Sequence, residues 1–296
     1  MKEFEYICKI AGEKIPVVLG ATASGKTDFA INLCQYLNGE IISIDSRQIY
    51  KNFKIGTNQP TSEELNLVSH HLINLIDHSE IINAFTYISL VKKSIKKIQS
   101  MGKKPVIVGG TLLYVYMLIN DILVKQVSKN QHHTYKEKTN FELWSMLNVL
   151  DCKRASNIHY NDRKKVERAI DLIKSTGRLA SDIYNNQENK INNDFYIIEL
   201  VLSKKKLHDK IKDRFNKMIN GGWIEEVQLL LNSGVNVNSH PMQGIGYIQI
   251  VQYLNNEINS DTMNEQILTK TRLFAKKQVT WLKKMNKDIL IKNVNN

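Results

Sequence analysis

The sequence predicts an α/β fold in which an open parallel sheet is interrupted by an inserted all-helical domain. Three observations carry this. Short apolar, β-branched runs ending in Gly, Asp or Ser recur through the first 111 residues, "IPVVLG", "GEIISID" and "KPVIVGGT", and once more in "DFYIIELVLS" from residue 194. Such runs suit strands buried on both faces. Between about 120 and 193 these runs disappear and polar, base-rich helical patterns replace them. The motif G-x-x-x-x-G-K-[ST] stands directly between the first strand and a helical stretch, where a phosphate-binding loop must be.

The element order follows from these signals. The strand "IPVVLG" leads into Gly20, Ala21, Thr22, Ala23, Ser24, Gly25, Lys26 and Thr27, and Ala30, Ile31, Leu33, Cys34 and Leu37 then recur at helical spacing. This is a P-loop NTPase-like sheet core, with its active edge at the strand carboxyl ends. The core is expected to comprise 1–119 and 194–296, the latter mainly helical with turns at "NGGW" and "NSG", and 120–193 to form the insertion.

In the loop, backbone N–H groups and the helix N-terminus face a polyphosphate, Lys26 adds a mobile positive charge, and the Thr27 hydroxyl can bind Mg2+. An ATPase or GTPase would also place an aspartate at the end of a second apolar strand. "VIVGG" has none, and the strand-terminal carboxylate is Asp45. Asp45 reads as a metal-side ligand, as a base aimed at an acceptor, or as a cap on the following segment.

The chain has 296 residues, 42% of them hydrophobic, and 41 Lys and Arg against 29 Asp and Glu, a formal charge of +12. That excess favours a polyanionic partner, although the abundance of Asn, Lys and Ile also fits an AT-rich genome. Cys8, Cys34 and Cys152 are odd in number and far apart, which fits a reducing cytoplasmic setting and neither a disulfide framework nor a zinc site. No signal peptide or membrane span is expected.

Two stretches concentrate the positive charge. "NDRKKVERAIDLIKSTGR" reads as a helix capped by Asn161 or Asp162 and ending near Gly177, with Val166, Ala169, Ile170 and Ile173 on one face. Its other face carries Arg163, Lys164, Lys165 and Arg168, suited either to a phosphodiester backbone or to an ordinary solvated helix surface. "KTRLFAKKQVTWLKK" places Lys270, Lys277 and Lys284 at sevenfold spacing beside Lys276 and Lys283, with Phe274 and Trp281 expected to pack inward. His70 and His71 are adjacent, diverge in any regular structure, and read as structural.

Taken in order, "GATASGKT", "DSRQIYKNFKIGT", "HHLI", "GGTLLY", "IHYNDRKKVERAIDLIKSTGR", "QGIGY" and "AKKQVTWLKK" resemble the bacterial-type tRNA dimethylallyltransferase, or tRNA isopentenyltransferase, family over nearly the whole chain. The resemblance implies transfer of a prenyl group from dimethylallyl diphosphate to N6 of the adenosine 3′-adjacent to a tRNA anticodon, with Mg2+ as cofactor. By resemblance, Asp45 accepts the N6 proton, Thr22 donates to the bridging oxygen, and Lys26, Arg214 and magnesium neutralise the diphosphate. Also by resemblance, tRNA is contacted by Asp45, Ser46, Arg47 and Gln48; by Thr111; by Lys164, Lys165, Val166, Glu167 and Arg168; by Gln243, Gly244, Ile245, Gly246, Tyr247 and Ile248; and by Lys276, Lys277, Gln278, Trp281 and Lys283. The insertion would grip the anticodon stem-loop. No obligate protein partner is inferred, and a monomer is expected.

The chain departs from the family pattern at Ala21 and Tyr160, where prolines are usual, at Gln59, where a basic residue is usual, and in a shortened segment, 123–145. No cysteine follows Cys152, which implies a bacterial or organelle-type enzyme without a C-terminal zinc finger. Three other readings share the loop: a prenyltransferase acting on free AMP or ATP, a small-molecule kinase using Asp45 as base, and a non-catalytic RNA-binding protein.

Overall fold

The computed structural model describes residues 2–120, 135–185, 194–285 and 289–293. The chain divides into two compact units, Met1–Ile119 with Asn192–Asn296, and Asn120–Ile191. The expected junction just before 194 and the first part of the shortened segment 123–145 lie outside the described residues.

The first unit begins with α1 (Lys2–Ala11), β1 (Ile15–Gly20), α2 (Lys26–Leu37), β2 (Gly39–Ile44), α3 (Ser62–Leu67), β3 (His70–His71), α4 (Ala84–Ser100), β4 (Lys104–Gly109) and α5 (Leu112–Ile119). The second unit contains α6 (Asn140–Leu150), α7 (Cys152–Ala155), α8 (Arg163–Thr176) and α9 (Ala180–Asn185). The chain then returns to the first unit as β5 (Phe195–Val201), α10 (Lys204–Asn220), α11 (Trp223–Asn232), α12 (Tyr247–Leu254), α13 (Ser260–Leu282) and β6 (Ile289–Asn293).

The sheet is wholly parallel in the order β3-β2-β4-β1-β5-β6. The apolar runs form its central strands. Val18, Ile41, Val106 and Ile198 turn one face towards Phe29, Ala30, Leu33 and Cys34 of α2 and Ile7 and Ala11 of α1. The alternating residues Val17, Leu19, Ile42, Ile44 and Ile107 are buried as well, so both faces are covered, as an all-parallel sheet requires. Each such side chain contributes about 1.5–3 kcal/mol on burial. Two strands depart from the expected pattern: β3, two residues long, and β6, which pairs with β5 from Ile197↔Ile289 to Val201↔Asn293 where a helical C-terminal region was expected.

Helix starts follow local chemistry. The side chains of Asn83, Ser203 and Asn259 accept from the third residue of α4, α10 and α13 respectively. The helical unit has its own core, in which Leu143, Leu147, Ala155, Val166, Ala169, Ile170 and Leu172 pack together.

Candidate functional site

The 3-2-4-1-5-6 order brings the carboxyl ends of β2, β4 and β1 side by side. Residues 21–25 leave β1 there. Gly25 has φ 84°, a conformation that any other residue adopts at a cost, and α2 opens behind it with no side-chain cap. The first-turn N–H groups, Thr27 among them, therefore have no cap from Gly25 and stand where an anion is favoured. Gly20 is required by space: a Cβ there would meet the Ser24 hydroxyl at 2.5 Å and the Leu200 carbonyl at 2.9 Å. Ala21 is buried against Leu207, Ile211 and Ala275, so the residue standing where the family has proline seats the loop on α10 and α13.

Lys26 donates to the carbonyls of Gly20 (3.0 Å) and Ala21 (2.7 Å). Desolvation, and then the nearby Arg214, pull its ammonium down to about 7, with Asp45 pulling the other way. Arg214, on α10, is itself lowered by burial and supported by Asp45. Three of the residues singled out in the sequence, from β1's loop, β2's end and a helix about 170 residues later, thus share one electrostatic neighbourhood.

Asp45 divides its two oxygens. Oδ1 accepts from the backbone of Arg47 (2.8 Å) and Gln48 (3.3 Å), the capping arrangement. Oδ2 faces Gly110, lying 3.4 Å from where a Cβ on that glycine would sit. Beneath it, the hydroxyl of the fully buried Tyr87 lies 3.0 Å from the Ser43 carbonyl and accepts from the Asp45 N–H at 3.2 Å. Thr111 Oγ1 accepts from the Ser46 N–H at 3.0 Å, tying the end of β4 to the end of β2.

Several residues assigned to RNA by resemblance have partners within the protein. Gln278 is 4% exposed; its Oε1 accepts from the Thr22 N–H at 2.8 Å and its Nε2 donates to the Gly110 carbonyl at 2.9 Å. Arg47 spends its guanidinium on the carbonyls of His240 (2.6 Å), Pro241 (3.1 Å) and Gln243 (3.3 Å). Gln48 bonds Ser43, Thr57 and Asn58. Gly244, Gly246 and Tyr247 are buried, Ile245 and Ile248 are half-buried, and Gln243 is exposed. A Cβ on Gly246 would fall within 1.9 Å of the Trp223 ring.

Glu226, which the sequence reading passed over, organises this region. It accepts from the N–H groups of Ile55 (2.6 Å) and Gly56 (3.1 Å) and from the Tyr247 hydroxyl (2.7 Å). Its only sequence signal is its place in the first turn after "NGGW", shared with Glu225.

On α8, Val166 is fully buried in the helical unit's core, which leaves its side chain no surface to offer RNA. Asp162 stands at the N-cap without capping through its side chain, which pairs with Lys165 instead. Arg163 binds Glu167 at 2.8 Å and the carbonyls of Tyr135 and Lys138. Lys164 is exposed and Arg168 half-buried.

On α13, Lys270, Lys276 and Lys277 are exposed, as is Lys283 at its C-cap. Phe274 is 43% exposed and Trp281 37% exposed, its ring edge-on to Tyr116 at 5.6 Å. The inward packing expected of both does not hold, because Ala275, Gln278 and Leu282 occupy the dry face.

His71 Nε2 lies 2.7 Å from Glu40, which Lys103 also binds at 2.6 Å, and His70 Nδ1 meets the Val68 carbonyl at 2.8 Å. His71 is satisfied as the sequence reading expects, whereas the Nε2 of His70 is buried without a hydrogen-bond partner among the described residues. Among the described residues no three His, Cys, Asp or Glu side chains gather as metal ligands, and no helix is long and apolar enough to cross a membrane.

A phosphate loop after β1 and a carboxylate at the end of β2, one strand removed across β4, with no acid at the end of β4, define a P-loop α/β enzyme of the group-transfer class. A family model described as IPP transferase matches residues 48–285. The tRNA dimethylallyltransferase of Thermotoga maritima is 38% identical over 275 residues, covering 92% of this chain and 90% of the relative. That of Caldicellulosiruptor saccharolyticus is 35% identical over 281 residues, with the same coverage. Among solved structures, the full-length tRNA isopentenylpyrophosphate transferase of Bacillus halodurans superposes with TM-score 0.70 at 30% identity, covering 95% of this chain and 90% of that one. A eukaryotic dimethylallyltransferase acting on tRNA gives TM-score 0.82 at 26% identity over 96% of this chain and 75% of that one. The chain belongs to the IPP transferase family.

Proposed function

We propose that this chain is a tRNA prenyltransferase that moves the dimethylallyl group of dimethylallyl diphosphate to N6 of the adenosine 3′-adjacent to the anticodon, releasing diphosphate. The observation that carries the reading is the meeting of Lys26, Arg214 and Asp45 at one strand edge. Two cations there suit a departing diphosphate, and one carboxylate suits a proton.

In the step, N6 attacks C1 of the prenyl group while the C1–O bond breaks. The electron pair leaves with the diphosphate, where Lys26, Arg214 and the loop amides stabilise charge that grows in the transition state. Thr22 donates to the bridging oxygen. The exocyclic amine is a weak nucleophile because its lone pair is delocalised into the ring. Asp45 Oδ2 takes the N6 proton as attack proceeds, while Oδ1 remains on the Arg47 and Gln48 amides and holds the carboxylate in place.

Mg2+ suits this donor set. A hard cation that keeps waters and phosphate oxygens needs few protein ligands, and the Thr27 hydroxyl in the first turn of α2 would be one. Bound there, it would supply charge neutralisation for the diphosphate.

The target adenosine must leave its stack to reach Asp45. The exposed cations of α8 (Lys164) and of α13 (Lys276, Lys277 and Lys283) are read as phosphodiester contacts, those of α8 belonging to the helical unit that is read as the tRNA-binding insertion. With tRNA as acceptor, the reaction is placed in the cytoplasm, with the chain acting as a monomer.

The test is to incubate the protein with Mg2+, radiolabelled dimethylallyl diphosphate and unmodified tRNA, with AMP as a parallel acceptor. Label in tRNA that is lost when the adenosine after the anticodon is replaced supports the reading. Label in AMP, or in neither, overturns it. Asp45→Ala should abolish transfer and leave tRNA affinity within about threefold, since a general base acts on the chemical step.

A further inference from the structure

Gln278 interrupts a run of cations, "AKKQVTWLKK", and on α13 it turns away from them: Lys276 and Lys277 are exposed, whereas Gln278 is 4% exposed. Its amide is used at both ends. The oxygen accepts the Thr22 N–H at 2.8 Å, and the nitrogen donates to the Gly110 carbonyl at 2.9 Å. One partner is a donor and the other an acceptor, which fixes the amide's orientation and requires a side chain offering both functions. Lysine or arginine, like its neighbours, could not accept from Thr22.

The two bonds span the mouth of the site. Thr22 belongs to the loop after β1 and Gly110 to the end of the adjacent strand β4, with Asp45 Oδ2 facing that same glycine. Ala275, one turn earlier on α13, packs on Ala21, so the helix presses on the loop at one residue and holds the next by its amide. The Thr22 hydroxyl is a single donor that must meet the bridging oxygen, and its direction depends on the backbone from which it springs.

We propose that Gln278 is a positioning residue that acts through Thr22, bracing the phosphate loop against the end of β4 so that the Thr22 hydroxyl is aimed at the leaving oxygen. This rests on the prenyl-transfer reading above and departs from an RNA-contacting role for Gln278.

The test is a double-mutant cycle on the full chain with radiolabelled dimethylallyl diphosphate and tRNA. Gln278→Leu, close in volume but without the amide, should lower kcat by about 10- to 100-fold, the scale of a misplaced catalytic donor, and leave the KM for tRNA within about twofold. Because the effect passes through Thr22, Gln278→Leu combined with Thr22→Val should be no slower than Thr22→Val alone by more than about threefold. Gln278→Glu keeps the acceptor for Thr22 and loses the donor for Gly110, so its kcat should fall between wild type and Gln278→Leu. It also carries the cycle should the leucine variant fail to fold.

Multiplicative effects in the cycle, a wild-type kcat in either variant, or a raised KM for tRNA at unchanged kcat would each overturn the assignment. If wild type transfers no label to tRNA, the prenyl-transfer reading fails, and this inference with it. If wild type transfers label and the cycle is multiplicative, the Gln278 assignment alone fails.

Discussion

Lys26 makes the binding of the prenyl donor a proton-coupled event of calculable size. Its ammonium is held at about 7, by desolvation first and Arg214 second. A group with that pKa carries about half its charge at pH 7 and about a tenth at pH 8. A diphosphate brought into the loop favours the charged form, so complex formation takes up about 0.9 proton per site at pH 8, about 0.5 at pH 7 and about 0.1 at pH 6. The assay is isothermal titration calorimetry with the thio analogue of dimethylallyl diphosphate in buffers of different ionisation enthalpy, in which the slope of apparent enthalpy gives the proton count. Lys26→Arg is the reference: its guanidinium stays charged throughout, and the ligand's own titration cancels between the two proteins. A wild-type excess below about 0.2 proton at pH 8 would refute the argument, since a lysine already charged has no proton to gain.

The same lysine shapes ligand-free stability. With its folded pKa near 7 and its ordinary value 10.5, the unfolded chain holds the extra proton between those values, so native stability rises with pH across that window. The urea midpoint should therefore climb from pH 7.5 to 9.5 in wild type relative to Lys26→Met. Glu226→Ala would strand two backbone N–H groups and the Tyr247 hydroxyl; a loss of about 3–5 kcal/mol is expected in urea unfolding, because each buried donor left unpaired costs about 1–3 kcal/mol. Lys164→Ala and Lys277→Ala should each weaken tRNA binding and reduce its logarithmic salt slope by about one, measured by filter binding between low and moderate salt; an unchanged slope removes that lysine from the interface.

What the sequence made legible, and what it did not, divides along physical lines. The phosphate loop and the four longer core strands were readable because their signals are local: a glycine pattern at fixed spacing and apolar runs with defined ends. The buried face of α8 was readable for the same reason, since Val166, Ala169, Ile170 and Ile173 recur at helical spacing. On α13 the apolar side chains are spread around the helix, and which of them face inward is decided by the loop and by α10, both remote in sequence. Phe274 therefore points outward and Gln278 inward, against expectation. Strand β6 is five residues long and is defined by its pairing with β5, a partner that a local pattern cannot reveal. Glu226 is one of two adjacent acids in a first turn, and only the approach of residues 55 and 56 gives it a purpose.

The buried carboxylate of Glu40, held by the partly exposed His71 and Lys103, lies at the opposite end of the strand whose exit carries Asp45. Asp45 lies five positions after Glu40, and along β2 a one-residue slip would move the chain by about 3.3 Å and exchange the two faces of the sheet. Such a slip would replace Asp45 at the mouth of the site with Ile44 or Ser46, and would also turn the Glu40 carboxylate to the other face of the sheet, away from His71 and Lys103. The cluster thus works as an alignment key: a chain that pairs β2 with β4 out of step leaves the Glu40 carboxylate without its partners and loses its active edge as well, and misassembly is discouraged at the end of the strand remote from the site.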